Sequence, residues 1–151
     1  MTSRTLAKRV ITLALEKKAR NIVLLDLRKL SAAADFFVVC SADSDTQVKA
    51  IADAVRNGTD RIGSRPWHSE GWQALSWVLL DYVDVVLHVF HRQARSFYNL
   101  ERLWADAKRY TVEESEGVLE FVEHDKPPAR KPPKSRSTAK PRRPTAQRKA
   151  R

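Results

Sequence analysis

The spacing of apolar residues along the first 110 positions alternates between a helical pattern and a strand pattern. Three stretches repeat apolar side chains every three or four positions, which is typical of one helix face; they are 2–21, 44–63 and 97–104. Four short runs rich in β-branched and aromatic residues are typical of strands; they are 21–27, 35–42, 76–81 and 84–90. The pattern therefore predicts an α/β fold in which a mixed sheet is flanked by helices.

Local signals add detail to these elements. Ser44 and Gln47 precede an apolar stripe at the spacing of a capping box. The segment WHSEG, 67–71, is predicted to be a loop, and the acidic segment 112–124 is predicted to form a last strand or a strap. The final helical stretch is predicted to carry four apolar side chains on one face: Phe97, Leu100, Leu103 and Trp104.

Runs 76–81 and 84–90 are predicted to pair as an antiparallel hairpin that turns at Tyr82-Val83 and sets Trp77 opposite His88. One face is then wholly aliphatic and belongs in the core: Val78, Leu80, Val85, Leu87 and Val89. The other face mixes aromatic and polar groups: Trp77, Leu79, Asp81, Asp84, Val86, His88 and Phe90. That face fits either a second core layer under a helix or an exposed surface for a protein partner. A metal site is disfavoured because its polar groups are spread along the strands.

The charge is concentrated at one end of the chain. Residues 1–124 hold 17 Lys+Arg and 17 Asp+Glu, whereas residues 125–151 hold 11 Lys+Arg and one acid. The terminal segment also has six of the seven prolines and no aromatic, Leu, Ile or Val. Such a segment buries too little apolar surface to offset its chain entropy, so we predict a domain over 1–124 and a basic, disordered tail over 125–151.

Candidate catalytic chemistry is sparse. Cys40 is the one cysteine and lies in an apolar run, which favours a buried thiol over a nucleophile. Asp43 and Asp45 resemble a carboxylate pair, but a helix start attracts acids for dipole reasons alone. We find no zinc-type spacing, no glycine-rich phosphate loop and no triad pattern. The sequence therefore predicts no metal, no cofactor and no enzyme.

The start of the chain bears on its location. No apolar run approaches the roughly 18 to 20 residues of a membrane span, and no signal-peptide pattern is present. Arginines without an acid before Glu16 also occur in transit peptides, but here the apolar stripe leads directly into a strand. We therefore predict that the first segment is a helix of the domain. We expect a cytoplasmic, bacterial protein, with an organellar protein as the alternative.

Three longer motifs resemble a known family. The runs DFFVVCSADSDTQVKAIADAV, HSEG and WVLLDYVDVVLHVFHRQARSFYNLERLW are similar to the ribosomal silencing factor family, also called Iojap, over roughly residues 5–110. The resemblance implies a fold similar to nucleotidyltransferases without their catalytic signature. It also implies binding to a protein of the large ribosomal subunit on its intersubunit face, which would block joining of the small subunit when nutrients are scarce.

The same resemblance implies which residues touch the partner: Trp77, Asp81, His88, Tyr98, Leu100 and Trp104. The chain departs from the family pattern at Val83, where glycine is usual, and at Asp45-Thr46, where a basic residue is common. A β-branched residue is strained where glycine serves a positive φ, so Val83 calls the predicted turn into question.

The basic tail is predicted to attract ribosomal RNA weakly through its cations; they include Lys131, Lys134, Arg136, Arg142 and Arg143. The alternative is that the tail is only a solubilising extension. Two other classes stay open, a nucleic-acid or ribosome-assembly module that binds through the tail and a nucleotidyltransferase-like enzyme using Asp43, Asp45 and Asp81. A homodimer could form through an edge strand or the aromatic face.

Overall fold

The computed structural model describes residues 1–124 and consists of four helices and seven strands over that range. In chain order these elements are α1 Ser3–Glu16, β1 Arg20–Asp26, β2 Phe36–Ala42, α2 Asp45–Arg61, β3 His68–Glu70, β4 Trp77–Asp81, β5 Val85–His91, α3 Arg92–Tyr98, α4 Leu100–Leu103, β6 Lys108–Ser115 and β7 Val118–His124. The predicted tail and its cations lie outside the described residues. None of the helices over 1–124 is long and apolar enough to cross a membrane.

The seven strands form one sheet in the order β3-β4-β5-β2-β1-β6-β7. β2 and β5 are parallel, and each other neighbouring pair is antiparallel. A parallel pair needs a long crossover, and α2 with β3 and β4 supplies it. The predicted α/β fold with a mixed sheet is confirmed.

Helices α1 and α2 cover one face of the sheet. The predicted stripe of α1, from Leu6 to Ala14, is buried there, and so is the aliphatic face of the β4–β5 hairpin. Cys40 lies in the same core and is a buried free thiol, as predicted. The start of α2 follows the capping pattern: the Ser44 hydroxyl accepts a hydrogen bond from the Gln47 amide at 3.1 Å. The Gln47 side chain accepts in turn from the Asp43 amide at 2.8 Å, which secures the residue before the cap.

The predicted register of the β4–β5 hairpin was wrong by two residues. Trp77 pairs with Phe90, and His88 pairs with Leu79. The strands continue through Tyr82, whose amide donates to the Val85 carbonyl at 2.8 Å, so the connecting residues are Val83 and Asp84. A shift by an even number of residues leaves each side chain on its predicted face, so both predicted faces are present.

The turn itself holds Val83 in a conformation that favours glycine. Val83 has φ +76°, and the Asp84 amide donates to the Tyr82 carbonyl at 2.9 Å, closing a γ-turn around it. The Asp81 carboxylate accepts from the Val83 amide at 2.8 Å and stabilises this turn. The strain expected for a β-branched residue at this position is therefore present.

Three other segments differ from the predictions. Residues His68–Glu70 form edge strand β3 and pair with β4, because their backbone groups meet the outer edge of that strand. The stretch 97–104 is not one helix: it holds the end of α3 and all of α4, which Asn99 separates at φ +49°. The segment 112–124 does contain the predicted last strand, β7, but it also includes the second half of β6. Glu116 and Gly117 join the two strands, and their positive φ values match a type I′ turn.

Candidate functional site

The second face of the sheet carries a cluster of aromatic rings that α3 and α4 cover only in part. We call it the aromatic cluster and define it by six residues: Phe37, Trp77, His88, Phe90, Tyr98 and Trp104. β2, β4 and β5 supply four of the rings, while Tyr98 ends α3 and Trp104 follows α4. Phe90 also belongs to a second apolar core with Leu100, and Phe37, Trp77 and Trp104 pack against that core. This face is therefore both a core layer and a surface, the two interpretations that the sequence left open.

Trp77 lies at the boundary between that core and solvent. Its indole N–H donates a hydrogen bond to Nδ1 of His88 at 3.1 Å. Its ring stacks on Phe90, with centroids 4.9 Å apart, and contacts Tyr98 at 4.8 Å. The side chain is partly exposed, so its outer part can meet another molecule while its inner part is packed and hydrogen bonded.

His88 is almost wholly buried, with 3% of its surface exposed. Since Nδ1 accepts the Trp77 hydrogen bond, the ring proton of the neutral imidazole lies on Nε2. Nε2 has no hydrogen-bond partner among the described residues, and the Phe37 ring lies 4.6 Å from the imidazole. Burial lowers the pKa of His88 to about 3, so this side chain is neutral at physiological pH. It is unsuited to proton transfer near neutral pH and instead supports Trp77.

Arg95 fixes the helices that border the cluster. Its guanidinium donates to the Asn21 carbonyl at 2.6 Å, to the Ser41 hydroxyl at 2.9 Å and to the Glu101 carboxylate at 2.7 Å. The Arg95–Glu101 pair links α3 to α4 and is mostly shielded from solvent. One side chain thus joins both short helices to β1 and β2, which holds their outer face in a defined orientation.

The outer face of α3 and α4 exposes three large apolar side chains. Phe97 is 80% exposed, Leu103 is 74% exposed and Tyr98 is 45% exposed. The prediction that Phe97 and Leu103 share one face with Leu100 and Trp104 was wrong, because the break at Asn99 turns Leu100 and Trp104 toward the sheet. We call Phe97, Tyr98 and Leu103 the exposed apolar patch. The sequence did not lead us to name Phe97 and Leu103 as candidate site residues. The signal for them was that 97–104 holds more large apolar side chains than so short a segment can bury.

The structure brings together five of the six predicted partner-binding residues. Tyr98 is exposed, Trp77 and Trp104 are partly exposed, and His88 and Leu100 are buried beneath them. Asp81 lies at the other end of β4, about 13 Å from Trp77 along the strand. Its carboxylate is used by the Val83 turn. Only Trp77, Tyr98 and Trp104 therefore offer surface at the aromatic cluster.

The carboxylates of the enzyme alternative do not converge. Asp43 and Asp45 stand at the start of α2, beside the carboxyl end of β2, whereas Asp81 pairs with Val86 at the opposite end of the parallel β2–β5 pair. Asp43 lies beside Arg20 and Arg92. Within residues 1–124 no group of three or more His, Cys, Asp or Glu side chains could hold a metal ion. Burial raises the pKa of the Cys40 thiol to about 12, which suppresses the reactive thiolate.

Comparison with known proteins identifies relatives of this chain. The family model described as ribosomal silencing factor during starvation matches residues 1–147. Ribosomal silencing factor RsfS of Bacillus subtilis is 46% identical over 92 residues, 61% of this chain and 78% of that protein. The protein of the same name from Halalkalibacterium halodurans is 40% identical over 119 residues, 79% of this chain and 99% of that protein. The chloroplastic protein Iojap of Zea mays is 38% identical over 62% of this chain and 41% of its own length.

Solved structures agree with this assignment. A crystal structure of a Chromobacterium violaceum protein superposes with a TM-score of 0.68 at 35% identity, covering 69% of this chain and 87% of that chain. A Bacillus halodurans structure superposes with a TM-score of 0.62 at 38% identity, covering 67% and 94%. The family is named for silencing ribosomes and not for a chemical reaction, in keeping with carboxylates that do not converge. The chain belongs to the ribosomal silencing factor family.

Proposed function

We propose that this chain represses translation by binding a protein of the large ribosomal subunit and standing in the path of the small subunit. The observation that carries the proposal is the exposed apolar patch, which adjoins the aromatic cluster: the Tyr98 ring belongs to both and lies 4.8 Å from Trp77, and Leu103 precedes Trp104 in the chain. Membership of the ribosomal silencing factor family supports a ribosomal partner. The patch supplies a surface on which that partner could dock.

The chemistry of the patch suits a protein partner. Clustered aromatic and leucine side chains lose water-exposed apolar area on binding, at about 25 cal/mol per Å² buried. Trp77 and Tyr98 combine a large apolar ring with a polar tip, the type of side chain that dominates binding energy in protein interfaces. Rim contacts contribute less, because exposed charges keep most of their hydration.

The residues beneath the patch would act by holding it in shape. His88 fixes the Trp77 indole through its 3.1 Å hydrogen bond, and Leu100 anchors the α4 turn in the core. Arg95 anchors α3 and α4. A rigid patch loses little conformational entropy on binding, so more of the contact energy appears as affinity. In this proposal His88 and Leu100 support the interface from below. The partner is contacted by the exposed apolar patch and by the exposed parts of Trp77 and Trp104.

Repression by occlusion requires an affinity and a footprint and no turnover. A bound domain of 124 residues is about 30 Å across and would exclude other molecules from the surface that it covers. Its site of action would be the bacterial cytoplasm, where ribosomes work. Asp81 would contact the partner only if the footprint extends along β4 to the Val83 turn.

Cosedimentation with isolated subunits tests the proposal. Leu103→Ala should reduce binding to large subunits at least about tenfold, whereas Leu30→Ala, the same change at an exposed position in the β1–β2 connection, should leave it unchanged. Neither variant removes a buried side chain, so both should fold. Equal binding by both variants would show that the patch is not the docking site. Binding of the unaltered protein to small subunits alone would contradict the proposed partner.

The tail adds a weaker proposal. Its cations, among them Lys131, Lys134, Arg136, Arg142 and Arg143, would attract ribosomal RNA phosphates without choosing the site. Site choice would remain with the domain. A plain nucleic-acid module would lose all ribosome binding when residues 125–151 are removed, whereas this proposal predicts a loss of salt dependence with the site retained.

A further inference from the structure

The hairpin of β6 and β7 carries a dense negative charge that the rest of the domain does not share. Five glutamates are exposed on it: Glu113, Glu114, Glu116, Glu120 and Glu123. None of them forms an ion pair with another part of residues 1–124, and no lysine or arginine lies between residues 110 and 124. Like charges this close repel one another and favour a cationic neighbour. We call Lys108–His124 the acidic hairpin.

The acidic hairpin is also an open end of the sheet. β7 is the outermost strand, so one of its edges pairs with no other strand in the described part of the chain. On the face away from α1 and α2, Val118 and Val122 are exposed between the glutamates. An exposed edge with apolar side chains is a surface that another segment can cover.

A second copy of the chain fits this surface poorly. Pairing two β7 edges would bring Glu120 and Glu123 of both copies together, with the other glutamates close behind, and like charges across strands are destabilising. The chain's own terminal segment fits better. It begins at residue 125, directly after β7, and holds 11 Lys+Arg against one acid.

We propose that residues 125–151 dock on the acidic hairpin of the same molecule and are displaced from it by RNA. The reach is sufficient, because β7 is about 23 Å long and 27 residues would span about 30 Å as a random coil. Six prolines remove backbone donors from the segment, so the proposed contacts are ion pairs with the glutamates and not an eighth strand. The hairpin thus acts as an internal competitor for RNA phosphates and keeps the tail from binding stray nucleic acid.

Paramagnetic relaxation in the full-length protein tests the docking. A spin label at Ser137→Cys should broaden amide signals of the acidic hairpin and leave those of α2 unaffected. Cys40 should stay unlabelled, because it is buried in the core. The broadening should fall at least about threefold between 0.05 M and 0.5 M salt, since screening shortens from about 14 Å to about 4 Å.

A pair of matched triple variants separates this contact from a general charge effect. Glu113→Gln, Glu120→Gln and Glu123→Gln together should abolish the broadening. Asp60→Asn, Asp84→Asn and Asp106→Asn, three exposed acids elsewhere in the domain, should leave it unchanged. Broadening spread evenly over the surface, or equal loss in both triple variants, would overturn the proposal.

Mixing experiments identify the molecule that supplies the tail. Isotope-labelled protein without a spin label, mixed with spin-labelled protein without the isotope, should show no hairpin broadening. Broadening in that mixture would place the tail on a second copy and contradict docking within one molecule.

The predicted consequence is a change in RNA affinity. The hairpin triple variant should bind a single-stranded U20 oligonucleotide about fivefold more tightly than the unaltered protein, the effect of releasing a few exposed ion pairs. The control triple variant should bind it with less than half of that gain. These measurements involve no ribosome. Tail docking can therefore be disproved while large-subunit binding is retained, and large-subunit binding can be disproved while tail docking is retained. Unchanged affinity in the hairpin variant would show that the hairpin does not compete with RNA.

Discussion

Trp77 donates its indole N–H to Nδ1 of His88 across 3.1 Å, which joins the partly exposed ring at the sheet surface to a buried imidazole beneath it. The bond fixes the indole in one orientation and assigns the imidazole proton to Nε2. A large ring held from below and open from above is an arrangement suited to an interface anchor. The relationship explains how one face can be a core layer and still expose aromatic surface to solvent.

Replacing Trp77 by alanine should therefore weaken binding to large subunits by at least about thirtyfold, which corresponds to about 2 kcal/mol. The variant should remain folded with reduced stability, because the indole also packs on Phe90. Cosedimentation and circular dichroism check the two parts. Trp67→Ala removes a tryptophan that is 70% exposed elsewhere and should bind normally. A folded Trp77→Ala protein with full affinity would refute the anchor role.

The buried imidazole predicts a pH dependence of stability. The folded-state pKa of His88 is lowered to about 3, so below pH 6.5 the unfolded chain binds a proton that the folded protein excludes. The contribution of His88 is complete above pH 6.5 and is lost as pH falls toward 3, at up to about 1.4 kcal/mol per pH unit.

Denaturant unfolding at pH 7 and pH 5 checks this effect. The free energy of unfolding should fall by roughly 2 kcal/mol between these values in the unaltered protein, and by clearly less in His88→Gln. Carboxylates change in both proteins alike, so the difference isolates the imidazole. Parallel pH profiles would mean that His88 becomes protonated without unfolding.

The hairpin turn offers a stabilising substitution. Val83 has φ +76°, where a β-branched side chain is strained and glycine is not. Val83→Gly should raise the free energy of unfolding by about 1 kcal/mol and the Tm by about 4 °C, without changing ribosome binding. Thermal unfolding measures the change in Tm. Val118→Gly is the comparison: Val118 does not have a positive φ, so this substitution should lower the Tm. A lower Tm for Val83→Gly would show that the turn relaxes around valine.

The basic tail should make the affinity for large subunits depend on salt. If six of its 11 cations meet phosphates, the slope of log affinity for large subunits against log salt should be about −4 to −5. Removing residues 125–151 should flatten that slope and keep the preference for large subunits. Binding isotherms at several salt concentrations check this, and an unchanged slope would exclude the tail from ribosome binding.

Much of the fold could be predicted from apolar periodicity. The α1 and α2 stripes and the aliphatic face of β4–β5 face the core as predicted, because burial on one side of an element leaves a strong repeat in sequence. The hairpin register could not be predicted, since Val83 occupies a position where no turn residue marks the tip. Edge strand β3 was missed for a related reason: its three residues are polar and mostly exposed, so they carry no burial signal.

The candidate site was predictable in outline only. The mixed aromatic and polar face indicated a special surface, and Trp77 could be assigned to it from the sequence. The break at Asn99 could not, although it decides that Phe97 and Leu103 face solvent while Leu100 is buried. Helical spacing alone treats 97–104 as one helix, and one residue in the left-handed region changes which side chains a partner meets.

The proposal that this protein keeps the ribosomal subunits apart is tested most directly by light scattering during subunit reassociation. Stoichiometric protein, incubated with large subunits before small subunits are added, should lower the final scattering toward that of separate subunits. Leu103→Ala should restore reassociation and Leu30→Ala should not. Full reassociation in the presence of large subunits saturated with the unaltered protein would contradict the account.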